Sequence, residues 1–127
     1  QLELLNLRET KITDAGLVHV KKFPQLRILV LGDTQVTDVG LEHLKGLTSL
    51  KGLELNHTQV VGAGLEHLQG MTSLRRLSLS NAKVTDAGLE HLKVLTKLRY
   101  LNLEGTQVTD DAVEKLQQAL PNCEIRI

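Results

Sequence analysis

The chain has 127 residues, enough for one domain, and its 15 Lys and Arg balance 15 Asp and Glu, so the formal net charge is zero. That balance argues against a dedicated nucleic-acid binder. So does the shortage of stacking rings, since Phe23 and Tyr100 are the only aromatic residues of the Phe, Trp and Tyr set. The single cysteine, Cys123, excludes an internal disulfide and favours a reducing, cytoplasmic setting, and no apolar run approaches the length of a membrane span.

Self-similarity organises everything else. Aligned on a leading leucine, copies begin at Leu2, Leu26, Leu50, Leu74 and Leu98, always 24 residues apart. The units are 2–25, 26–49, 50–73, 74–97 and 98–121, with a terminal strand at 123–127, and together they make one domain over 1–127. The shared frame is L-x-x-L-x-L-x-x-T-x-V-T-D-x-G-L-x-H-L-x-x-L-x-x. Each unit predicts a short strand, a turn and a short helix. Strand leucines at period two share one face, and the residues between them take the other.

In the first unit, Leu2, Leu5 and Leu7 have no partner strand before them, which predicts an open edge, a cut through a longer array, and a route to edge-to-edge association of an otherwise monomeric protein. In the second, Leu29 and Leu31 point inward while Ile28 and Val30 point out. In the third, Val61-Gly62 replaces Thr-Asp at the expected helix start, so this helix is predicted to begin late or fray. In the fourth, Thr85 and Asp86 suit a helix N-terminus, Gly88 is expected to let the helix lie close to the sheet, and Leu89, Leu92 and Leu95 recur on one inward face. In the fifth, Ala112 and Val113 replace Gly and Leu, one residue is added near Gln118, Pro121 stops the helix, and Cys123 to Ile127 form a last strand that reads as the natural end of the array.

This frame resembles the leucine-rich repeat family. It is closest to the ribonuclease-inhibitor-like and cysteine-containing classes and to bacterial repeats carrying V-T-D-x-G-L. The fold class expected is α/β: a right-handed βα solenoid with a parallel concave sheet and convex helices. The physical argument agrees. Parallel strands sit about 4.8 Å apart while packed α-helices need about 8–10 Å, so a stack of such units curves, and βα crossovers are right-handed. The family often has Asn or Cys at the ninth position, bonding backbone between coils. Here the column reads Thr10, Thr34, Thr58, Ala82 and Thr106, so that ladder is expected to be thinner.

Four patterns are candidates for chemistry. The first is a histidine column, His19, His43, His67 and His91. It sits one per helix, too far apart to share a metal at bonding distances of about 2.0–2.1 Å, so these imidazoles are expected to fill grooves and bond a neighbour's backbone or a carboxylate. The second is a basic column, Arg27, Lys51, Arg75 and Arg99, preceded by Glu3. It fits either helix-dipole complementation or an acidic partner. The third is any nucleophile. Cys123 has no histidine near it in sequence, and Ser78 and Ser80 have His57 one or two strands away with no oriented acid evident. No catalytic residue, metal or cofactor is therefore assigned.

The fourth pattern is the outward strand columns. Position three reads Leu4, Ile28, Gly52, Arg76, Tyr100; position five, Asn6, Val30, Glu54, Ser78, Asn102; position seven, Arg8, Gly32, Asn56, Ser80, Glu104; position eight, Glu9, Asp33, His57, Asn81, Gly105. They vary while the frame stays constant, and they expose apolar residues together with Tyr and Arg, which interfaces favour. The expected contact residues are Arg8, Ile28, Val30, Glu54, Arg76, Ser78, Tyr100 and Asn102. The resemblance implies a protein or peptide partner on this concave face, without nucleic acid or membrane. Five strands offer only about 400–500 Å² there, below the roughly 800 Å² per partner of a stable interface. A binding module from a longer protein fits these observations. The alternative is a structural spacer, or a consensus-like array without a specific ligand.

Overall fold

A computed structural model describes residues 1–127. Six parallel strands form one sheet in sequence order: β1 Leu4–Asn6, β2 Ile28–Val30, β3 Gly52–Glu54, β4 Arg76–Ser78, β5 Tyr100–Asn102 and β6 Glu124–Arg126. The register is constant, with Leu4, Ile28, Gly52, Arg76, Tyr100 and Glu124 aligned across the sheet. The 24-residue period translates directly into this alignment, because each coil returns to the same height. The architecture is an α/β solenoid, with the strands on the inner face and the helical segments on the back.

The leucines behave as their period requires. Leu29, Leu53, Leu77 and Leu101 in the strands are buried, as are Leu89, Leu92 and Leu95 behind them. They belong to one continuous apolar cluster running from Leu17 to Cys123. In the first coil Leu2 and Leu4 are exposed and Leu5 and Leu7 half-buried, since only one neighbour packs on them.

The helical segments depart from uniform short α-helices. Asp14–Leu17 and Asp86–Leu89 are single α turns that tighten into 3-10 stretches at Val18–Lys22 and Glu90–Leu92. Asp38–Leu44 and Ala63–Leu68 are 3-10 throughout. Only Asp110–Ala119 is an extended α-helix. Few residues separate the turn from the returning strand, and the 3-10 form covers more distance per residue. It is also slimmer than an α-helix, so the mismatch in width between back and front is smaller than α-helices would impose. The last segment has one more residue to place, and it is α-helical throughout. Its end is tied down by Gln117, whose Nε2 donates to the carbonyls of Leu120 and Cys123 at 3.0 and 2.8 Å.

One expectation about polar groups is corrected. The ninth-position threonines do not bridge coils. Thr10, Thr34, Thr58 and Thr106 each donate Oγ1 to the carbonyl three residues earlier, at 2.6–2.7 Å. A threonine hydroxyl is too short to reach the neighbouring coil once this local acceptor is in range. The bridging is done instead by the aspartate of V-T-D. Asp14 accepts from the Thr37 N–H at 2.8 Å and from the Thr37 hydroxyl, and Asp86 accepts from both groups of Thr109 at 2.7 Å. Asp38 faces the coil that lacks Thr-Asp, and its carboxylate takes up the N–H groups of Val61, Gly62 and Gly64 at 2.6, 3.0 and 2.5 Å.

The late start of the third helix is therefore real and has a structural reason. Its first residue is Ala63, one place later than in the other four coils, and Gly62 stands before it at φ +129°, a backbone angle that side chains resist. At the next junction no carboxylate is available. The Thr85 N–H bonds the Val61 carbonyl directly, and a Cβ on Gly88 would lie 2.7 Å from the Gly62 Cα. Gly88 is thus required for closeness to the neighbouring coil, not to the sheet.

Candidate functional site

Period two leaves positions three and five of every strand facing outward, and the constant register sets them in rows about 4.8 Å apart. The third-position row reads Ile28, Gly52, Arg76, Tyr100 across β2 to β5. Glycine in that row removes a side chain from the middle of the face. A Cβ built there would meet nothing closer than Ile28 Cγ1 at 3.7 Å, so the backbone does not demand glycine for space. The result is a groove of about 470 Å³, floored by Gly52 and walled by Ile28 and Val30 on one side and by Arg76, Ser78 and Tyr100 on the other.

Each wall is held in place. The Arg76 guanidinium lies over the Tyr100 ring, 4.5 Å from its centre, a stacking worth about 0.5–1 kcal/mol at an exposed site. Ser78 donates its hydroxyl to Asn56 Oδ1 at 2.6 Å, and the same oxygen accepts the Ser80 N–H at 2.8 Å. Glu54 lines the groove as well. Its carboxylate meets Arg8 at 2.6 Å, reaching from the third coil to the first over Gly32, where any side chain would collide with it. Arg8 also pairs with Asp33 at 3.0 Å, and Asp33 lies 3.5 Å from His57 Nδ1. One end of the sheet thus carries a paired network in which the acids outnumber the one arginine.

The other end is basic, and most of its cations are unpaired. Arg27 lies 3.5 Å from Glu3, but Lys51, Arg75, Arg76 and Arg99 enter no ion pair. Lys51 and Arg75 border the groove at its strand-start rim.

Six of the eight expected contact residues therefore meet at one place: Ile28, Val30, Glu54, Arg76, Ser78 and Tyr100. Arg8 and Asn102 lie outside it. Arg8 is occupied by its two acids, and Asn102 Oδ1 accepts the Glu104 N–H at 2.9 Å within its own turn. Gly52 and Asn56 stood in the outward columns but not among the expected contact residues, and Lys51 and Arg75 come from the basic column, for which an acidic partner was one of the two readings. The lone glycine among the large side chains of the third column was the available signal for Gly52. The eighth column turns out to be a backbone feature: Glu9, Asp33, His57, Asn81 and Gly105 all have φ between 56° and 72°, the left-handed region that Gly, Asn and Asp occupy most readily.

The remaining candidates have local roles. No group of three His, Cys, Asp or Glu is arranged to hold a metal. The histidines do not bond as expected. His43 Nδ1 is buried without a partner, and His67 Nε2 reaches only to 4.0 Å from Glu66 in its own coil. The nearby carbonyls of Glu42, Glu66 and Glu90 already accept helical N–H bonds. On that back surface Lys93 Nζ meets Glu90 at 2.8 Å, which holds the Glu90 carboxyl below its ordinary range. Cys123 is buried, and burial pushes its thiol up to about 11, the reverse of an activated nucleophile. No helix is long and apolar enough to cross a membrane.

Family models of leucine-rich repeats match residues 24–84 and 94–116. No curated protein matches the chain. Among solved structures, a leucine-rich repeat protein of Leptospira interrogans aligns with 97% of this chain at 25% identity and a TM-score of 0.82, the chain spanning 30% of that protein. An internalin of Listeria monocytogenes aligns with 98% at 20% identity and a TM-score of 0.58, the chain spanning 47% of it. The chain thus covers less than half the length of either.

Proposed function

We propose, from the premise that this chain belongs to the leucine-rich repeat family, that it is a non-enzymatic protein-interaction module whose outward sheet face receives a protein or peptide. The observation that carries this reading is the groove over Gly52. Apolar, aromatic and cationic side chains from four neighbouring strands converge there, and such a mixture suits a contact surface. The Ser78 hydroxyl donates to Asn56 and not to a histidine, which supports the non-enzymatic reading. Its small extent favours a peptide, or a longer array in which this face is one part.

The test is capture by immobilised protein, wild type against a variant with Ile28, Arg76 and Tyr100 changed to alanine. Loss of the captured band in the variant supports the reading. Equal capture by both removes the sheet face as the contact surface, and no capture by either favours a spacer.

A further inference from the structure

The groove has a chemistry more specific than a general contact surface, and its two ends differ in kind. Toward the strand ends, Glu54 and Asp33 share the single cation Arg8, which leaves that end net acidic. Toward the strand starts, Lys51, Arg75 and Arg76 border the same groove with no carboxylate in range. Three cations therefore face a partner unopposed, and the one acid lining the groove is already matched from within the protein. Between the ends lies the apolar part: Ile28, 42% exposed, and the half-buried Val30, with no side chain on Gly52 to fill the space beside them.

Arg76 is prepared for an anion. Its guanidinium carbon lies over the Tyr100 ring, and its N–H edge enters no ion pair. That edge is the part that binds carboxylates in paired fashion. Gly52 and Arg76 are register partners on adjacent strands, about 4.8 Å apart. An extended peptide crossing the strands points every second side chain at the sheet, about 6.6 Å apart. One side chain seated over Gly52 thus puts its same-face neighbour within reach of the long side chains of Arg76, Arg75 and Lys51.

Resting on the interaction reading above, we infer that the notch over Gly52 seats a bulky apolar side chain of an extended peptide, and that an acidic residue two positions away in that peptide is held by Lys51, Arg75 and Arg76. The partner is an acidic–apolar segment, selected by charge complementarity to the rim and by shape complementarity to the missing side chain.

The experiment uses the 127-residue chain labelled with nitrogen-15, titrated with three capped heptapeptides: Ser-Asp-Ser-Phe-Ser-Asp-Ser, the same with both Asp replaced by Lys, and the same with Phe replaced by Ser. Asp flanks Phe on both sides, so either chain direction presents an acid to the rim. The expected result is amide shifts at Gly52, Arg76 and Tyr100, with the Asp–Phe peptide binding about fivefold or more tighter than either control. Gly52→Leu, whose Cβ would meet nothing closer than Ile28 Cγ1 at 3.7 Å, is expected to erase the advantage of Phe over Ser. Arg75→Glu with Lys51→Glu is expected to erase or reverse the advantage of Asp over Lys. Equal binding of the Asp and Lys peptides overturns the inference and leaves the interaction reading standing. Absence of shifts at those amides with every peptide also overturns it, while the alanine capture assay decides the broader reading on its own.

Discussion

Removing the Asp38 side chain should cost far more than removing Asp110, although both occupy the same place in the V-T-D motif. Asp38 accepts three backbone N–H groups of the following coil, two of them part-buried, at 2.5–3.0 Å. Asp110 is exposed at the start of the last helix, with no side-chain bond. A hydrogen bond to a charged group contributes about 1.5–3 kcal/mol, and a donor left unsatisfied in the interior costs a similar amount. Water can reach the Val61 N–H in the variant, so we expect Asp38→Ala to lose about 3 kcal/mol. In a chain of this length that corresponds to a fall in Tm of about 10 °C. Asp110→Ala should lose only a helix-dipole contribution of about 0.3–1 kcal/mol. Asp14 and Asp86, each with one N–H and one hydroxyl to accept from, should fall between. Urea unfolding followed by far-ultraviolet circular dichroism measures all four. A difference between Asp38→Ala and Asp110→Ala under about 0.5 kcal/mol would refute the carboxylate ladder as the link between coils.

Three further outcomes follow from the packing. Ala82 stands where four other coils have a threonine bonded to its own turn, so Ala82→Thr should add the missing bond to Leu79 and raise stability by about 1 kcal/mol; a loss in the same urea melt would mean that this coil lacks the room. Gly88→Ala should destabilise by about 1–3 kcal/mol, because its methyl would sit 2.7 Å from the Gly62 backbone, whereas Gly70→Ala, with open space around it, should be close to neutral. Cys123 should resist a thiol reagent at pH 8 until the protein is unfolded. Since its thiol is pushed up to about 11 in the fold, the unfolded chain gives up that proton first, and stability should decline as pH rises from the ordinary thiol range toward 11. Stability at alkaline pH indistinguishable between the wild type and Cys123→Ala would contradict this.

The fold was almost wholly legible because its main determinant is a repeat. The leading leucines announced the register, period two announced Leu29 and Leu31 as inward and Ile28 and Val30 as outward, and Val61-Gly62 announced a helix that starts late. The site was legible in part. The outward columns contained eight of the residues that line the groove, six of them among the expected contacts, but they also contained Arg8, which the fold consumes, and an eighth column that is a backbone turn. The ninth-position threonines and the histidines were misread for one reason: hydrogen-bond partners were inferred from columns, and columns do not record distance.

What the sequence by itself determined is which residues align and which face each takes, because both follow from a 24-residue period and the alternation of a strand. What only the tertiary structure decided is which polar atoms meet. Asp38 finds three N–H groups 23 to 26 residues away, Glu54 crosses Gly32 to reach Arg8 46 residues away, and Gly52 becomes a groove only because Ile28 and Arg76 stand beside it. Those meetings depend on side-chain reach across coils and on the space left by missing side chains, and neither quantity is periodic.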